Sequence, residues 1–217
     1  MADDMVVDMA HDVARPGAEQ WVPAGAAVDA LKAAAPGCRG CELWEPATQV
    51  VFSAGNPGAR VALVGEQPGD VEDQRGIPFV GPAGVLLQRA LDEAELARGD
   101  LYVTNAVKHF RFTPSGKRRI HQTPELAHIT ACRPWLVAEL AAVRPQVVVV
   151  LGATAARSLM GPGVRVTRQR GQVVQLDGVA HVPTVHPSSV LRTPDAERPA
   201  AYDALVADLR VVAALLT

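Results

Sequence analysis

The chain has 217 residues, which suits one globular domain with short extensions, or two small domains. Hydrophobic residues make up 48% of the chain and exclude complete disorder, and a net charge of −2 excludes a globally basic coat protein for nucleic acids. No uncharged apolar run approaches the roughly 20 residues of a membrane helix. The first residues are acidic where a signal peptide is basic, so we expect a cytoplasmic protein with no membrane partner.

The N-terminal residues 1–27 carry acidic side chains against Arg15 alone and have little periodicity, which predicts a mobile acidic tail. Residues 28–217 are expected to form a single domain. Apolar runs and helical spacing predict strands at 61–65, 101–107, 147–151, 173–176 and 181–185, and helices at 84–96, 124–143, 153–160 and 199–216. Because strands alternate with helices, we predict an α/β fold with a parallel sheet, whose ligands bind beyond the carboxyl ends of the strands.

Polar clusters follow three of these predicted strands. Gly65-Glu66-Gln67-Pro68-Gly69-Asp70 comes after the first, Thr104-Asn105 ends the second, and His186-Pro187-Ser188-Ser189 follows the last long one. An Asn side chain offers an acceptor and two donors, which suits reading the edge of a base. Each cluster alone is also compatible with an ordinary turn, but three at three strand ends predict one shared pocket.

The segment from Lys108 to His121 reads KHFRFTPSGKRRIH and contains basic residues and two histidines but no acid. Aromatic side chains interleaved with basic ones fit contact with phosphates and stacking on bases. The alternative is a solvated loop. The position of the segment just past a predicted strand end favours nucleic acid.

The three cysteines, an odd number, argue against a disulfide framework. Cys38 and Cys41 form a Cys-x-x-Cys pair, with Cys132 far downstream. Such a pair can bind one metal ion or two corners of a cluster, and a histidine could fill the remaining position. From spacing alone zinc is the commoner metal, a redox disulfide is the alternative, and the candidate histidines are His109, His121 and His128.

Five motifs carry a resemblance to a known family. They are GEQPGD (65–70), PFVGPAG (78–84), TNAVKHF (104–110), CRPWL (132–136) and HPSS (186–189). In this order they resemble the uracil-DNA glycosylase superfamily, in particular its iron–sulfur, family-4-like branch. The segment KRRIH (117–121) is similar to the insertion that distinguishes the UdgX subfamily. The resemblance implies a three-layer α/β/α sandwich with a central, mainly parallel four-stranded sheet.

The resemblance also implies a metal cofactor. Family-4 enzymes hold a [4Fe–4S] cluster with four cysteines, whereas this chain has three. His109 stands where the third cysteine of the family falls, and UdgX-type proteins look the same there. The implied ligands are Cys38, Cys41, His109 and Cys132, and the implied role of the cluster is structural.

For the reaction, the resemblance implies cleavage of the bond between uracil N1 and the sugar C1′ after the base leaves the stack. Phe79 is implied to stack on uracil, Asn105 to bind its O4/N3–H edge, and His186 to stabilise charge at O2. Glu66, Gln67 and Asp70 are the candidates for activating water, and Gln67 is also a candidate for contacting uracil.

The KRRIH segment changes the implied outcome, because in UdgX-type proteins its histidine attacks C1′ and stays bonded to the sugar. Here that residue is His121, with Glu66 as its orienting partner. Residues implied or expected to contact DNA are Lys117, Arg118, Arg119, Ser188 and Arg192. The expected protein is thus a monomeric glycosylase of uracil-containing, preferably single-stranded DNA that is trapped after one turnover.

Three alternatives remain open on the sequence alone. The first is a conventional uracil-DNA glycosylase that turns over and leaves a free abasic site. The others are a non-catalytic iron–sulfur protein that binds nucleic acid, and a structural zinc protein with an unrelated pocket.

Overall fold

A computed structural model describes residues 15–216, without the side chain of Arg98. The strands are β1 (Ser53–Gly55), β2 (Val61–Gly65), β3 (Leu101–Asn105), β4 (Phe112–Ser115), β5 (Arg118–His121), β6 (Val147–Leu151), β7 (Val174–Leu176) and β8 (Val179–Thr184). The helices are α1 (Val28–Ala34), α2 (Asp70–Arg75), α3 (Pro82–Glu93), α4 (Leu126–Val143), α5 (Gly152–Met160), α6 (Val166–Gln169), α7 (Pro187–Arg192) and α8 (Arg198–Ala214).

The central sheet has six strands in the order β1-β3-β2-β6-β8-β7. Its four inner strands, β3, β2, β6 and β8, are parallel to one another, and β1 and β7 pair with them in the antiparallel sense. The predicted three-layer architecture and the four parallel strands are therefore confirmed, and two short antiparallel edges extend the sheet.

Alternating side chains of the inner strands form a core on each face of the sheet. In β2, Val61 and Leu63 pack with residues of α3 and α8, whereas Ala62 and Val64 pack with residues of α4 and α5. Strands buried on both faces are continuous apolar runs. This is why the run Val147–Leu151 was recognisable as a strand.

A third apolar cluster joins the N-terminal segment to α4. Residues 1–14 of the predicted tail lie outside the described residues, but residues 15–27 pack on the domain. Ala18 is buried, and its N–H donates to the carbonyl of Ala131 at 2.9 Å. Gly17 and Gly40 allow two backbones to meet, since a Cβ on Gly40 would lie 2.8 Å from the Gly17 carbonyl. The predicted tail boundary at residue 27 is therefore too late in the chain.

Several element boundaries differ from the predictions for identifiable local reasons. The helix predicted from residue 124 begins at Leu126, because Glu125 is its N-terminal cap. The backbone N–H of Glu125 donates a hydrogen bond to the Nδ1 atom of His128. The strand predicted to residue 107 ends at Asn105. Within residues 15–216 no helix combines the length and hydropathy needed to cross a bilayer.

The segment expected to be a basic loop contains a two-stranded hairpin. β4 and β5 pair in the antiparallel sense, with Phe112 opposite His121 and Ser115 opposite Arg118. Gly116 in the turn has φ +58°, a left-handed conformation that favours glycine. The hairpin places His121 at the end of β5, beside the carboxyl ends of the central strands.

Candidate active site

A cleft of about 740 Å³ lies beyond the carboxyl ends of β2, β3 and β8. The three polar clusters predicted from the sequence meet there. Eight of the sequence-predicted site residues line it: Glu66, Gln67, Phe79, Asn105, His121, His186, Ser188 and Arg192. The sequence did not predict the contributions of Glu72, Gly152, Val166 and Thr167, which lack any motif of their own.

Asn105, the last residue of β3, has a buried side chain whose amide oxygen lacks a partner. The residue is 2% exposed, and among the described residues its Oδ1 atom accepts no hydrogen bond. Leaving such an atom buried costs about 1–3 kcal/mol unless a ligand satisfies it. Gly65 makes this arrangement possible, since a Cβ there would lie 2.3 Å from Asn105 Oδ1 and 2.5 Å from Phe79 Cζ. The carboxamide is thus available to a flat ligand beside Phe79.

Phe79 forms another wall of the cleft and has a strained backbone. Its φ is +56°, which is uncommon for a bulky residue. Gly84 permits this turn, because a Cβ there would lie 1.8 Å from the Phe79 carbonyl oxygen. Glu72 holds the end of the same turn by accepting the N–H of Gly81 at 2.8 Å. The Phe79 ring lies 5.9 Å, centroid to centroid, from the ring of His186.

His186 is held as a neutral imidazole with its proton on Nε2. The backbone N–H of Ser188 donates to Nδ1 at 3.2 Å, so that nitrogen is the acceptor. Ser188 Oγ lies 2.8 Å from the same nitrogen and accepts a hydrogen bond from Arg192 at 3.1 Å. Burial lowers the pKa of His186 to about 4, and Arg192 and His121 add to the shift. At neutral pH the remaining donor is therefore the Nε2–H group.

His121 lies at the mouth of the cleft between two side chains of the turn after β2. Its Nε2 atom is 3.4 Å from Glu66 Oε1 and 3.0 Å from Gln67 Nε2. The Gln67 amide is oriented by its Oε1 atom, which accepts the N–H of Arg111 at 3.0 Å. The amide nitrogen therefore faces the ring, and its two hydrogens have three acceptors within reach: His121 Nε2, the Arg111 carbonyl at 3.2 Å and the Gln122 carbonyl at 3.0 Å. His121 is 47% exposed on its side chain.

The lowered pKa of His121 favours a neutral ring, which keeps a lone pair on one of its two nitrogens. Burial lowers the pKa of His121 from its usual 6.5, the Glu66 carboxylate opposes the shift, and Arg192 reinforces it. The Glu66 side chain is itself held in place, since its Oε2 atom accepts a hydrogen bond from the Thr154 hydroxyl. At neutral pH the site thus presents a neutral imidazole beside an oriented carboxylate.

Two predicted site residues, Asp70 and Arg119, lie outside the cleft and pair with each other. Arg119 Nε is 2.5 Å from Asp70 Oδ1, and Arg119 Nη1 is 2.6 Å from Asp73 Oδ2. The guanidinium also lies 5.1 Å from the Phe112 ring centroid. Both groups anchor the β4–β5 hairpin to α2, and neither lines the cleft, so the water-activating role of Asp70 and the phosphate contact of Arg119 stay predictions.

Other basic side chains remain available around the cleft. Lys117 and Arg118 are exposed at the tip of the hairpin, and Arg192 is exposed on α7. Arg165 and Arg168 are exposed on either side of Thr167, a cleft residue, and the sequence reading missed them. Among the described residues none of these five takes part in an ion pair.

The predicted metal ligands line one small cavity that is separate from the cleft. Its walls include Cys38, Cys41, His109 and Cys132. All three cysteines are free and buried. The other two candidate histidines are engaged elsewhere, since His121 lines the cleft and His128 bonds Glu42 at 2.7 Å.

The donor chemistry of this cavity fits a metal cluster. Backbone N–H groups point at the sulfur atoms: that of Gly40 at Cys38 (3.4 Å) and that of Lys108 at Cys132 (3.3 Å). Burial raises the pKa of the Cys132 thiol to about 12 and lowers the pKa of His109 to about 4, so the imidazole is neutral and can ligate. Within residues 15–216 no three His, Cys, Asp or Glu side chains converge on a single metal ion. Three cysteine sulfurs and one imidazole supply four donors, the number that a [4Fe–4S] cluster takes from a protein.

Comparison with known protein families identifies the family to which this fold belongs. The model of the Uracil DNA glycosylase superfamily matches residues 52–210. The chain belongs to this superfamily.

Its relatives include three proteins named type-4 uracil-DNA glycosylase. The one from Thermotoga maritima is 40% identical over 157 residues, which cover 71% of this chain and 78% of that protein. The one from Archaeoglobus fulgidus is 36% identical over 165 residues, covering 72% and 79%. The one from Sulfurisphaera tokodaii is 35% identical over 167 residues, covering 73% of each chain.

Proposed function

We propose that this protein excises uracil from DNA and, like members of the UdgX subfamily, becomes covalently bonded through His121 to C1′ of the abasic sugar. The observation that carries the proposal is the position of His121 Nε2, which lies 3.4 Å from the Glu66 carboxylate. His121 lines the same cleft as Asn105 and Phe79. The names of the relatives support the uracil-DNA substrate.

Recognition of the base rests on two groups. The uracil ring stacks on Phe79, and the Asn105 carboxamide, whose oxygen has no partner among the described residues, pairs with the O4/N3–H edge. Cytosine presents an amine donor where uracil presents the O4 acceptor, so a carboxamide held in one orientation discriminates between the two bases.

The bond-breaking step uses His186. When the N1–C1′ bond breaks, its electron pair stays on uracil, and the Nε2–H group of His186 donates to the O2 atom where negative charge accumulates. The sugar becomes oxocarbenium-like, and the Glu66 carboxylate stabilises this positive charge. The departing uracil anion takes its proton from solvent.

The capture step uses His121. In the tautomer with its proton on Nδ1, the His121 Nε2 lone pair forms a bond to C1′, and the resulting imidazolium is balanced by Glu66. An imidazolium bonded to C1′ is released only by an activated water, and Glu66 is already occupied beside it. The product is a stable protein–DNA crosslink with free uracil.

The cavity formed by Cys38, Cys41, His109 and Cys132 would hold a [4Fe–4S] cluster. When bound, the cluster supplies structural cross-linking of three chain segments. These three segments are the N-terminal segment with Cys38 and Cys41, the chain after β3 with His109, and α4 with Cys132. A monomeric state, a preference for single-stranded DNA and a cytoplasmic location stay predictions.

The test is a denaturing gel of the protein incubated with a single-stranded oligonucleotide that contains one uracil. The wild type is expected to give a retarded band that survives heating in detergent, and His121→Ala is expected to give none. Gln122→Ala is the matched control, since it changes the next side chain while its backbone carbonyl still accepts from Gln67. A band that persists in His121→Ala contradicts the assignment of the nucleophile.

The alternative of a conventional turnover glycosylase has one observation in its favour. The Gln67 amide nitrogen lies 3.0 Å from His121 Nε2, beside the atom that would attack C1′. If the wild type gives no crosslinked band and releases many equivalents of uracil, this alternative replaces covalent capture. If only His121→Ala turns over, the histidine diverts an otherwise ordinary glycosylase.

A further inference from the structure

Lys108 and Glu139 form a buried ion pair that the mechanism above does not use. Their side chains are 1% and 0% exposed, and Lys108 Nζ contacts Glu139 Oε2. Neither residue lines the cleft. A buried ion pair is poor evidence for stability, because well-packed apolar residues of similar volume often replace it without loss. Its geometry therefore needs a separate explanation.

Among the described residues, the other side-chain hydrogen bonds of the pair are all to residues of β3, and Lys108 Nζ also lies 5.1 Å from the Phe52 ring centroid. Lys108 Nζ donates to the Asn105 carbonyl at 2.9 Å and to Thr104 Oγ1 at 2.6 Å. Glu139 Oε1 accepts from the Tyr102 hydroxyl at 2.7 Å and from the Thr104 hydroxyl at 2.9 Å. The pair thus holds Thr104 and Asn105, the last two residues of β3, at the edge of the cleft.

These hydrogen bonds fix the backbone of Asn105, the residue that is proposed to contact the base. After Asn105 the chain is bonded to the turn following β2, since the N–H groups of Ala106 and Val107 donate to the carbonyls of Gly65 and Glu66, both at 2.9 Å. The Asn105 carbonyl is taken by Lys108. The side chain of Asn105, whose oxygen has no partner among the described residues, is therefore oriented by a backbone held on both sides.

We propose that the Lys108–Glu139 pair is a positioning device that holds the Asn105 carboxamide ready for uracil. The proposal rests on the proposed function, because it takes Asn105 as the residue that reads the base. It predicts that removing the pair weakens uracil binding through Asn105 and leaves the rest of the fold intact. Lys108 and Glu139 are positioning residues and touch no substrate.

The experiment is a mutational cycle on the full, iron-loaded chain, read by the dissociation constants of free uracil and of N3-methyluracil. Free bases are used so that the crosslinking chemistry of His121 does not enter. The variants are Asn105→Ala, the double variant Lys108→Met/Glu139→Leu, and the triple variant that combines all three changes. Tyr102→Phe is the matched control, because it removes one hydrogen bond of Glu139 and leaves Lys108 on the Asn105 carbonyl.

We expect the double variant to bind uracil about tenfold more weakly, the value of one hydrogen bond. Its preference for uracil over N3-methyluracil is expected to fall with it, since the methyl group blocks the N3–H that Asn105 accepts. The triple variant is expected to bind no more weakly than Asn105→Ala, because there is no carboxamide left to misplace. Tyr102→Phe is expected to bind uracil as the wild type does.

The outcomes separate this proposal from the proposed function. Unchanged uracil binding in the double variant with full iron content, or an additive loss in the triple variant, overturns the positioning role alone. Unchanged binding in Asn105→Ala overturns the base-reading role and the positioning role together. If the double variant loses iron or does not fold, Glu139→Gln replaces it in the same cycle, since it keeps the size of the side chain and is judged by the same criteria.

Discussion

Replacement of Arg119 by methionine tests whether the hairpin positions His121 for the proposed capture of C1′ without affecting recognition of the base. The guanidinium joins β5 to α2 through Asp70 and Asp73, two residues before His121. Methionine keeps much of the aliphatic length and its packing near Phe112, but it removes both ion pairs. The other attachment of the hairpin, through the Gln67 amide, stays intact.

The expected magnitude follows from the burial of the two partners. Asp70 is 44% exposed on its side chain, so this pair contributes at most about 1 kcal/mol. Asp73 is buried, and removing the partner of a buried charge costs about 3–5 kcal/mol. Asp73 keeps the Thr48 N–H, which lies 3.1 Å from each of its oxygens, so we expect a loss near the lower bound, about 3 kcal/mol in the free energy of unfolding.

The assay compares three quantities in Arg119→Met: urea unfolding, the affinity for free uracil and the rate of crosslinking to a uracil-containing oligonucleotide. We expect unchanged uracil affinity and a crosslinking rate that falls roughly 10- to 100-fold, because the nucleophile loses its fixed approach to C1′. Arg210→Met is the control, since this arginine is exposed on α8 and belongs neither to the hairpin nor to the lining of the cleft. Equal crosslinking rates in the two variants, or a loss of uracil affinity in Arg119→Met, would refute the reasoning.

Three further predictions concern the cleft and the metal cavity. Gly65→Ala is expected to abolish binding of free uracil, measured by titration, while the fold is kept, because its Cβ would lie 2.3 Å from Asn105 Oδ1; tight uracil binding would contradict this. Because burial lowers the pKa of His121 from its usual 6.5, the crosslinking rate is expected to fall to half its plateau only at a pH below 6.5, where the imidazole is protonated; a half-maximal rate above pH 6.5 is the opposing result. Removal of iron is expected to speed amide hydrogen exchange around Cys38 and Cys41 while β6 keeps its protection. Equal changes in both regions would contradict a metal group that stabilises only the segments around the cavity.

The inner sheet and the convergence of the cleft could be predicted because both follow from local sequence. Val147–Leu151 is apolar at every position, as a strand covered on both faces must be. The carboxyl ends of parallel strands meet at one edge, so the residues after β2, β3 and β8 had to come together once the alternation of elements was recognised.

The features that escaped prediction depend on pairs of residues far apart in the chain. Arg119 looks like a phosphate-binding residue within KRRIH, but its partner Asp70 lies 49 positions away. Lys108 belongs to the same basic segment and yet is buried against Glu139, 31 positions further on. The hairpin itself has Pro114 in β4 and charged side chains in β5, which conceal the alternation of an exposed two-stranded ribbon.

The two centres of the molecule are joined by one short stretch of chain, Thr104–His109. Asn105 faces the cleft, Lys108 turns into the core, and His109 lines the cavity of the three cysteines. Lys108 touches both sides, since its side chain holds the Asn105 carbonyl and its N–H points at Cys132 Sγ. In the proposed mechanism base reading therefore depends on the packing around the metal cavity. The proposed capture by His121 depends on a hairpin anchored through Gln67, Asp70 and Asp73, so changes at these two places should alter uracil affinity and crosslinking rate separately.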